Sequence, residues 1–204
     1  FTHKGKITLG RTLLQNAPLS FIQDVKALDV SPYDLVLTDF EPVSAWAAKL
    51  CNVPSMSISH QSAFKYAVPK VSGHFVSRAL MGLFAPADHH IGLHWHHFDQ
   101  AILPPLIESH QAGPIVVNKI LVYMGFEELS DIIALLAPFT HCHIVIYANV
   151  EKAYRINHIL VEPFSHQGFH KDLLDCDGVI SNAGFELASE CIQLGKKLLV
   201  KPLA

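Results

Sequence analysis

"DCDGVISNAGFELASECIQLGKKLLV", residues 175–200, holds a short apolar run, a glycine at 184, a segment of helical spacing and a second apolar run. The order predicts strand, turn, helix, strand. Two strands joined through a helix of this length run parallel, because the crossover leaves the chain on the side from which it started. On sheets of that kind, ligands bind at the carboxyl ends of the strands, where helices begin. Glu186 and Glu190 lie one helical turn apart at such a place, just after Gly184.

The same alternation extends backwards. "KILVYM" (119–124), "HIVIYA" (143–148) and "HILVEP" (158–163) read as strands, with helices expected over 128–136 and 169–174. In the first half, "DLVLTD" (34–39) and "SMSIS" (55–59) flank "PVSAWAAKLCNV", where Pro42 can open a helix in its first turn. A helix over 13–28 interrupted at Pro18, a helix over 74–84 and a strand "HHIGLHW" (89–95) complete that half. "AILPPLIESHQAGP" (101–114) gathers three prolines and a glycine. The chain is therefore expected to be α/β in two domains, 1–108 and 119–204, with 109–118 as linker.

Composition narrows the function. Half of the 204 residues are hydrophobic and 16% are charged, which suits a folded chain with a large buried core. Fifteen Lys and Arg stand against eighteen Asp and Glu, so neither half presents the basic field that a nucleic acid requires. Cys51, Cys142, Cys176 and Cys191 lack CxxC spacing and lie in or beside apolar runs, which predicts reduced core thiols and a cytoplasmic setting. No run reaches the ~18 apolar residues of a membrane span.

Candidate sites follow the strands. At Gly184 the amides of Gly184, Phe185 and Glu186 are expected to be donors at the positive end of a helix, suited to a phosphate. The alternative is an ordinary strand-to-helix turn capped by Asn182. Glu190, on the same helical face as Glu186, could accept both hydroxyls of a ribose or be merely solvated. Gly125 in "YMGFEE" permits a close backbone approach. Asp39, Glu41 and His60 follow two strands of one βαβ unit, where a carboxylate beside an imidazole makes a general base, or where Asp39 and Ser59 simply cap the next elements. "DHHIGLHWHHF" (88–98) packs five histidines into eleven residues; on a strand His94 and His96 would share a face and could reach a metal with Asp88 or Asp99. No CxxC or HExxH supports zinc, and no metal is assigned.

These residues resemble the donor-binding region of two-domain GT-B glycosyltransferases, including family 28 and the UDP-glycosyltransferases of plants and animals. Their WxP, HxGxxSxxE and GxPxxxxP segments are matched in order by "VEP" (161–163), "NAGFELASE" (182–190) and "GKKLLVKP" (195–202), through Pro163, Gly184, Glu190, Gly195 and Pro202. "DLVLTDFEPVSAWAAKLCNVPSMSISHQ" is similar to the first-domain unit of a bacterial and archaeal subgroup of predicted glycosyltransferases. The resemblance implies two Rossmann-like domains facing across a cleft, and inverting transfer of a sugar from a nucleoside diphosphate, UDP being expected, to an acceptor hydroxyl. It assigns Glu190 to the ribose, Gly184 and Phe185 to the diphosphate, Pro163 and Phe164 to the base, with Asn182, Ala183, Glu186 and Gly125 around the donor. Asn182 stands where many members have His, Leu187 where they have Ser, and Lys197 where they have Pro. The usual base after the first strand and a Gln-containing loop after "KPLA" are missing, so the chain is expected to be incomplete at both ends; His60, Asp39 or Glu41 is then the candidate base. The mechanism needs no cofactor. The acceptor is undefined and could be lipid-linked, with contact to the inner face of a membrane. A non-hydrolysing UDP-sugar epimerase and a non-catalytic nucleotide-sugar binder are the alternatives.

Overall fold

A computed structural model describes residues 2–3, 6–7, 18–70, 81–108 and 113–202. The chain divides into two compact units, Leu14–Leu106 and Phe1–Leu13 with Ile107–Ala204. A two-residue antiparallel pair, β1 (Thr2–His3) and β2 (Lys6–Ile7), stands at the start of the chain. The expected helix over 13–28 is described from its proline onward, as α1 (Pro18–Ala27). Residues 13–17 of the expected helix lie outside the described residues.

The first unit carries a four-stranded parallel sheet in the order β3 (Val36–Thr38), β4 (Ser55–Ser59), β5 (His89–Leu93), β6 (Ile102–Leu103). Helix α2 (Pro42–Cys51) connects β3 to β4 and packs through Ala45, Ala47 and Ala48, all fully buried. Asn52 ends it in the left-handed conformation. A four-residue helix, α3 (His60–Ala63), follows β4 directly and lies on β5. Gly92 makes that approach possible: a Cβ there would stand 2.7 Å from the Ala63 Cα. Gly92→Ala is expected to destabilise this unit by about 1–3 kcal/mol, measured by denaturant unfolding, because backbone rather than a flexible side chain must yield. Of the helix expected over 74–84, residues 81–84 are helical and 74–80 lie outside the described residues.

The second unit holds a six-stranded sheet, β12-β11-β7-β8-β10-β9. Its strands are β7 (Val116–Tyr123), β8 (His143–Ala148), β9 (Tyr154–Ile156), β10 (Ile159–Pro163), β11 (Cys176–Asn182) and β12 (Lys197–Lys201). All neighbours pair in parallel except β9, which is antiparallel to β10. Helices α4 (Leu129–Leu136), α5 (His166–Asp175) and α6 (Phe185–Gln193) make the crossovers. Successive residues of a strand face opposite ways, so a sheet covered on both faces needs unbroken apolar runs. Val122, Ile144 and Ile146 pack with Ile132 and Leu136 of α4, whereas Leu121, Val145 and Tyr147 pack with Leu173 of α5 and Cys191 of α6. These are two Rossmann-like α/β units.

The described cysteines are unbridged, and Cys176 and Cys191 are core thiols as expected; Cys51, at the end of α2, is exposed instead. Among the described residues no helix is long and apolar enough to cross a membrane.

Candidate functional site

In the second sheet the chain leaves β7 toward β8 on one side, while β11 lies on the other. The connections after β7 and β11 therefore leave in opposite directions, and in open parallel sheets such a switch in strand order is where ligands bind. After β11, the α6 N-cap is Gly184, which offers no side-chain hydrogen bond. The Glu186 and Leu187 amides stand in the first turn, where no intrahelical carbonyl reaches them, at the positive end of the helix. Space around Gly184 is open, with nothing within 4 Å of a Cβ placed there. Gly184 itself departs from expectation: its amide donates to the Asn182 carbonyl at 2.7 Å and is committed to the turn.

Asn182 is not the cap. Its Oδ1 accepts from the Phe126 amide and its Nδ2 donates to Glu127 Oε1, both at 3.4 Å, so it ties the β11 end to the loop after β7. Lys201, its register partner on β12, donates from Nζ to Glu127 Oε2 at 2.6 Å. Because β11 lies between β12 and β7, this side chain passes over the end of β11 to reach the loop after β7. Glu127 is largely buried at 12% exposure and Lys201 is 54% exposed, so the cation is the partner that faces solvent. Gly125 sits in the turn before these residues, and a Cβ there would meet nothing within 4 Å. Glu186 is exposed in the first turn of α6 and Glu190 is half-buried one turn on. Pro163 ends β10, and Phe164 beyond it is 56% exposed, its ring edge-on to Tyr123 at 6.1 Å.

In the first unit, the expected trio separates into different roles. Glu41 caps α2: its two oxygens accept from the Val43 amide at 2.8 Å and the Ser44 amide at 2.7 Å. Burial raises its pKa, but these hydrogen bonds outweigh it and hold the carboxyl below its ordinary value. Glu41, rather than Asp39, is thus the cap after β3, and its oxygens are engaged. Asp39 is exposed just beyond β3. Ser59 caps α3 as expected, accepting from the Ser62 amide at 3.0 Å. His60, the first residue of α3, places Nδ1 3.0 Å from the Leu93 carbonyl. A carbonyl only accepts, so Nδ1 carries the proton and the lone pair lies on Nε2.

The histidine run does not form the expected strand face. β5 ends at Leu93, and Phe98 and Asp99 take positive φ, turning the chain back. His94, His96 and His97 each accept, through Nδ1, the amide two residues on. Among the described residues no group of three or more His, Cys, Asp or Glu could hold a metal ion.

A family model described as glycosyl transferase family 1 matches residues 8–204. The chain belongs to that family. Two solved structures share the fold of this family 1 chain. The glycosyltransferase SnogD from Streptomyces nogalater aligns at TM-score 0.55 and 12% identity, over 98% of this chain and 67% of its own. The Streptomyces sp. SF2575 glycosyltransferase SsfS6, solved with thymidine diphosphate, aligns at 0.51 and 15%, over 96% and 57%. The family 1 chain thus spans little more than half the length of SsfS6. No curated protein matches it.

Sequence reasoning on the family 1 chain missed Glu127 and Lys201 as partners, since they are 74 residues apart and meet only through the strand order. It also missed Lys65, Lys70 and His90, which line a cavity of about 500 Å³ in the first unit with Ser57, Gln61 and Ser62. The segment ending "SISHQ" (57–61) reaches that place through Ser57 and Gln61, but does not point to the lysines.

Proposed function

We propose that this family 1 chain transfers a sugar, with inversion, from a nucleoside diphosphate donor carrying uridine or thymidine to an acceptor hydroxyl, the second unit holding the donor and the first the acceptor. The observation that carries the reading is the switch in strand order at β7 and β11, where the glycine-capped N-terminus of α6 stands beside the half-exposed Lys201 ammonium, itself paired with Glu127. In this reading the diphosphate lies against the Glu186 and Leu187 amides and Lys201, beside Ala183, Gly184 and Phe185. Glu190 accepts the ribose hydroxyls, and Pro163 and Phe164 lie along the base. Asn182 acts through the β7 loop rather than as the phosphate-binding group that a histidine would be. Gly125 lets the main chain after β7 approach the donor closely.

His60 is the base. Its Nε2 takes the proton of the acceptor hydroxyl as that oxygen bonds to the anomeric carbon and the bond to the diphosphate breaks. The diphosphate leaves with its charge compensated by α6 and Lys201. Asp39 is the alternative proton acceptor, and Glu41 serves as a cap.

Glu190→Ala is expected to weaken UDP or TDP binding about 10- to 100-fold, read by calorimetry, because two hydrogen bonds to a charged acceptor are lost. Nucleotide release from a UDP- or TDP-sugar that depends on added acceptor tests the reaction itself. Conversion of one nucleotide sugar into another without acceptor would identify an epimerase and overturn the proposal.

A further inference from the structure

The cavity beside α3 combines an apolar wall with a basic one. Phe40, Phe64 and Met81 form the first, and Lys65, Lys70 and His90 the second. Among the described residues that line it, none is acidic. Two of the acids nearby in sequence are occupied elsewhere: Asp88 Oδ2 takes the Ser55 amide at 2.9 Å and hydroxyl at 3.0 Å, and Glu41 caps α2; Asp39 is exposed and does not line the cavity. The Lys65 ammonium instead lies against His90 Nε2, which also stands 3.1 Å from the Ala87 carbonyl. On its other side the His90 ring meets the Ser62 hydroxyl at 3.3 Å, and Ser62 closes a buried network with Ser57 at 2.8 Å and Ser59 at 2.9 Å. Burial, and then the Lys65 charge, hold the His90 pKa down; burial lowers that of Lys65. An ammonium resting on a neutral imidazole gains far less than one paired with a carboxylate or phosphate.

The apolar wall is built under strain. Phe40 has φ +52, a left-handed conformation that costs a bulky residue about 1 kcal/mol or more. The Thr38 hydroxyl holds the turn, accepting from the Glu41 amide and donating to its carbonyl, both at 3.1 Å. The result sets the Phe40 ring against Phe84, with centroids 5.0 Å apart, at the edge of the cavity. A volume of about 500 Å³ suits a molecule of one or two rings.

We infer that this cavity binds an acidic acceptor, its carboxylate or phosphate held by Lys65 and Lys70 and its ring body held against Phe40, Phe64 and Met81. The inference rests on the reading of the first unit as the acceptor side. It is tested with three probes of similar shape, 4-hydroxybenzoate, phenyl phosphate and the neutral 4-hydroxybenzamide, titrated into the chain by calorimetry. At least one acid is expected to bind tenfold or more tighter than the amide, and the tighter acid names the group. Lys65→Met and Lys70→Met should reduce that preference to within about twofold, while Lys65→Arg retains most of it and shows that the fold is not the cause. Equal binding of acids and amide, or an acid preference untouched by either methionine, would overturn the inference. UDP and TDP titrated into the same protein report on the second unit separately. Lysine-dependent acid binding without nucleotide binding would keep this site and sink the donor reading; nucleotide binding without acid preference would do the reverse.

Discussion

His60→Gln is expected to lower the turnover of sugar transfer about 100- to 10,000-fold while leaving UDP or TDP affinity unchanged. The size follows from what a positioned base supplies, and the split follows from the chain's division: His60 lies in Leu14–Leu106, the proposed nucleotide site in the other unit. The Leu93 carbonyl fixes the His60 tautomer, and the His60 ring lies edge-on to Phe64 at 5.1 Å and tilted against His94 at 5.7 Å. Glutamine keeps a donor for Leu93 and loses the basic nitrogen, so a loss of turnover would isolate the proton step. The measurement is kcat with a saturating nucleotide sugar, on a protein containing this chain. Full turnover in His60→Gln, with the loss appearing in Asp39→Asn, would move the base to the neighbouring strand end.

The largest expected effect on stability belongs to Asp172→Ala, about 2–4 kcal/mol by denaturant unfolding. Asp172 on α5 accepts from Lys119 Nζ on β7 and from the Tyr147 hydroxyl on β8, each at 2.7 Å. Lys119 also donates to Asp175, at the end of α5. These groups are mostly buried, so removing the shared carboxylate leaves a lysine half-compensated and a phenol without its acceptor. Burial and then the Asp172 hydrogen bond raise the Tyr147 pKa well above that of a free phenol. For Lys119, burial lowers the pKa, and the bonds to Asp172 and Asp175 more than reverse it. A lysine whose pKa is raised on folding stabilises the protein fully below its unfolded pKa. That contribution fades as pH rises through the folded value, so the deficit of Asp172→Ala should persist at neutral pH and narrow in strong alkali.

How far the sequence reaches is clearest in particular elements. "HIVIYA" and "KLLVK" coincide with β8 and β12, and "SMSIS" with β4, because each is a compact run bounded by a change of composition. β9 was not legible: its three residues are all exposed and are held only by pairing with β10. β7 starts three residues before the expected Lys119, since Val116–Asn118 face solvent and Asn118 has φ +63 where the register with β11 shifts. α5 begins at His166 rather than 169, capped by Ser165, whose Oγ accepts from the Gly168 amide at 3.1 Å; Gly168 disguised that start. It is a glycine for a packing reason, as a Cβ would stand 2.8 Å from the Tyr147 hydroxyl.

The site shows the same limit. "NAGFELASE" located the glycine-capped helix, because a strand-turn-helix signal is local. The ion pair beside it was not legible, since Glu127 and Lys201 lie at two strand ends that only the order β12-β11-β7 brings together. The histidine run misled for the opposite reason: spacing along an assumed strand says nothing of a chain that turns at Phe98.

Thermal unfolding of the chain with UDP, TDP and GDP tests the central claim most directly. A nucleotide at 100 times its Kd should stabilise the unit that binds it by about 2.7 kcal/mol. UDP or TDP is expected to raise the Tm by several degrees, with the shift lost in Glu190→Ala. An unchanged Tm with all three nucleotides at millimolar concentration would contradict the account.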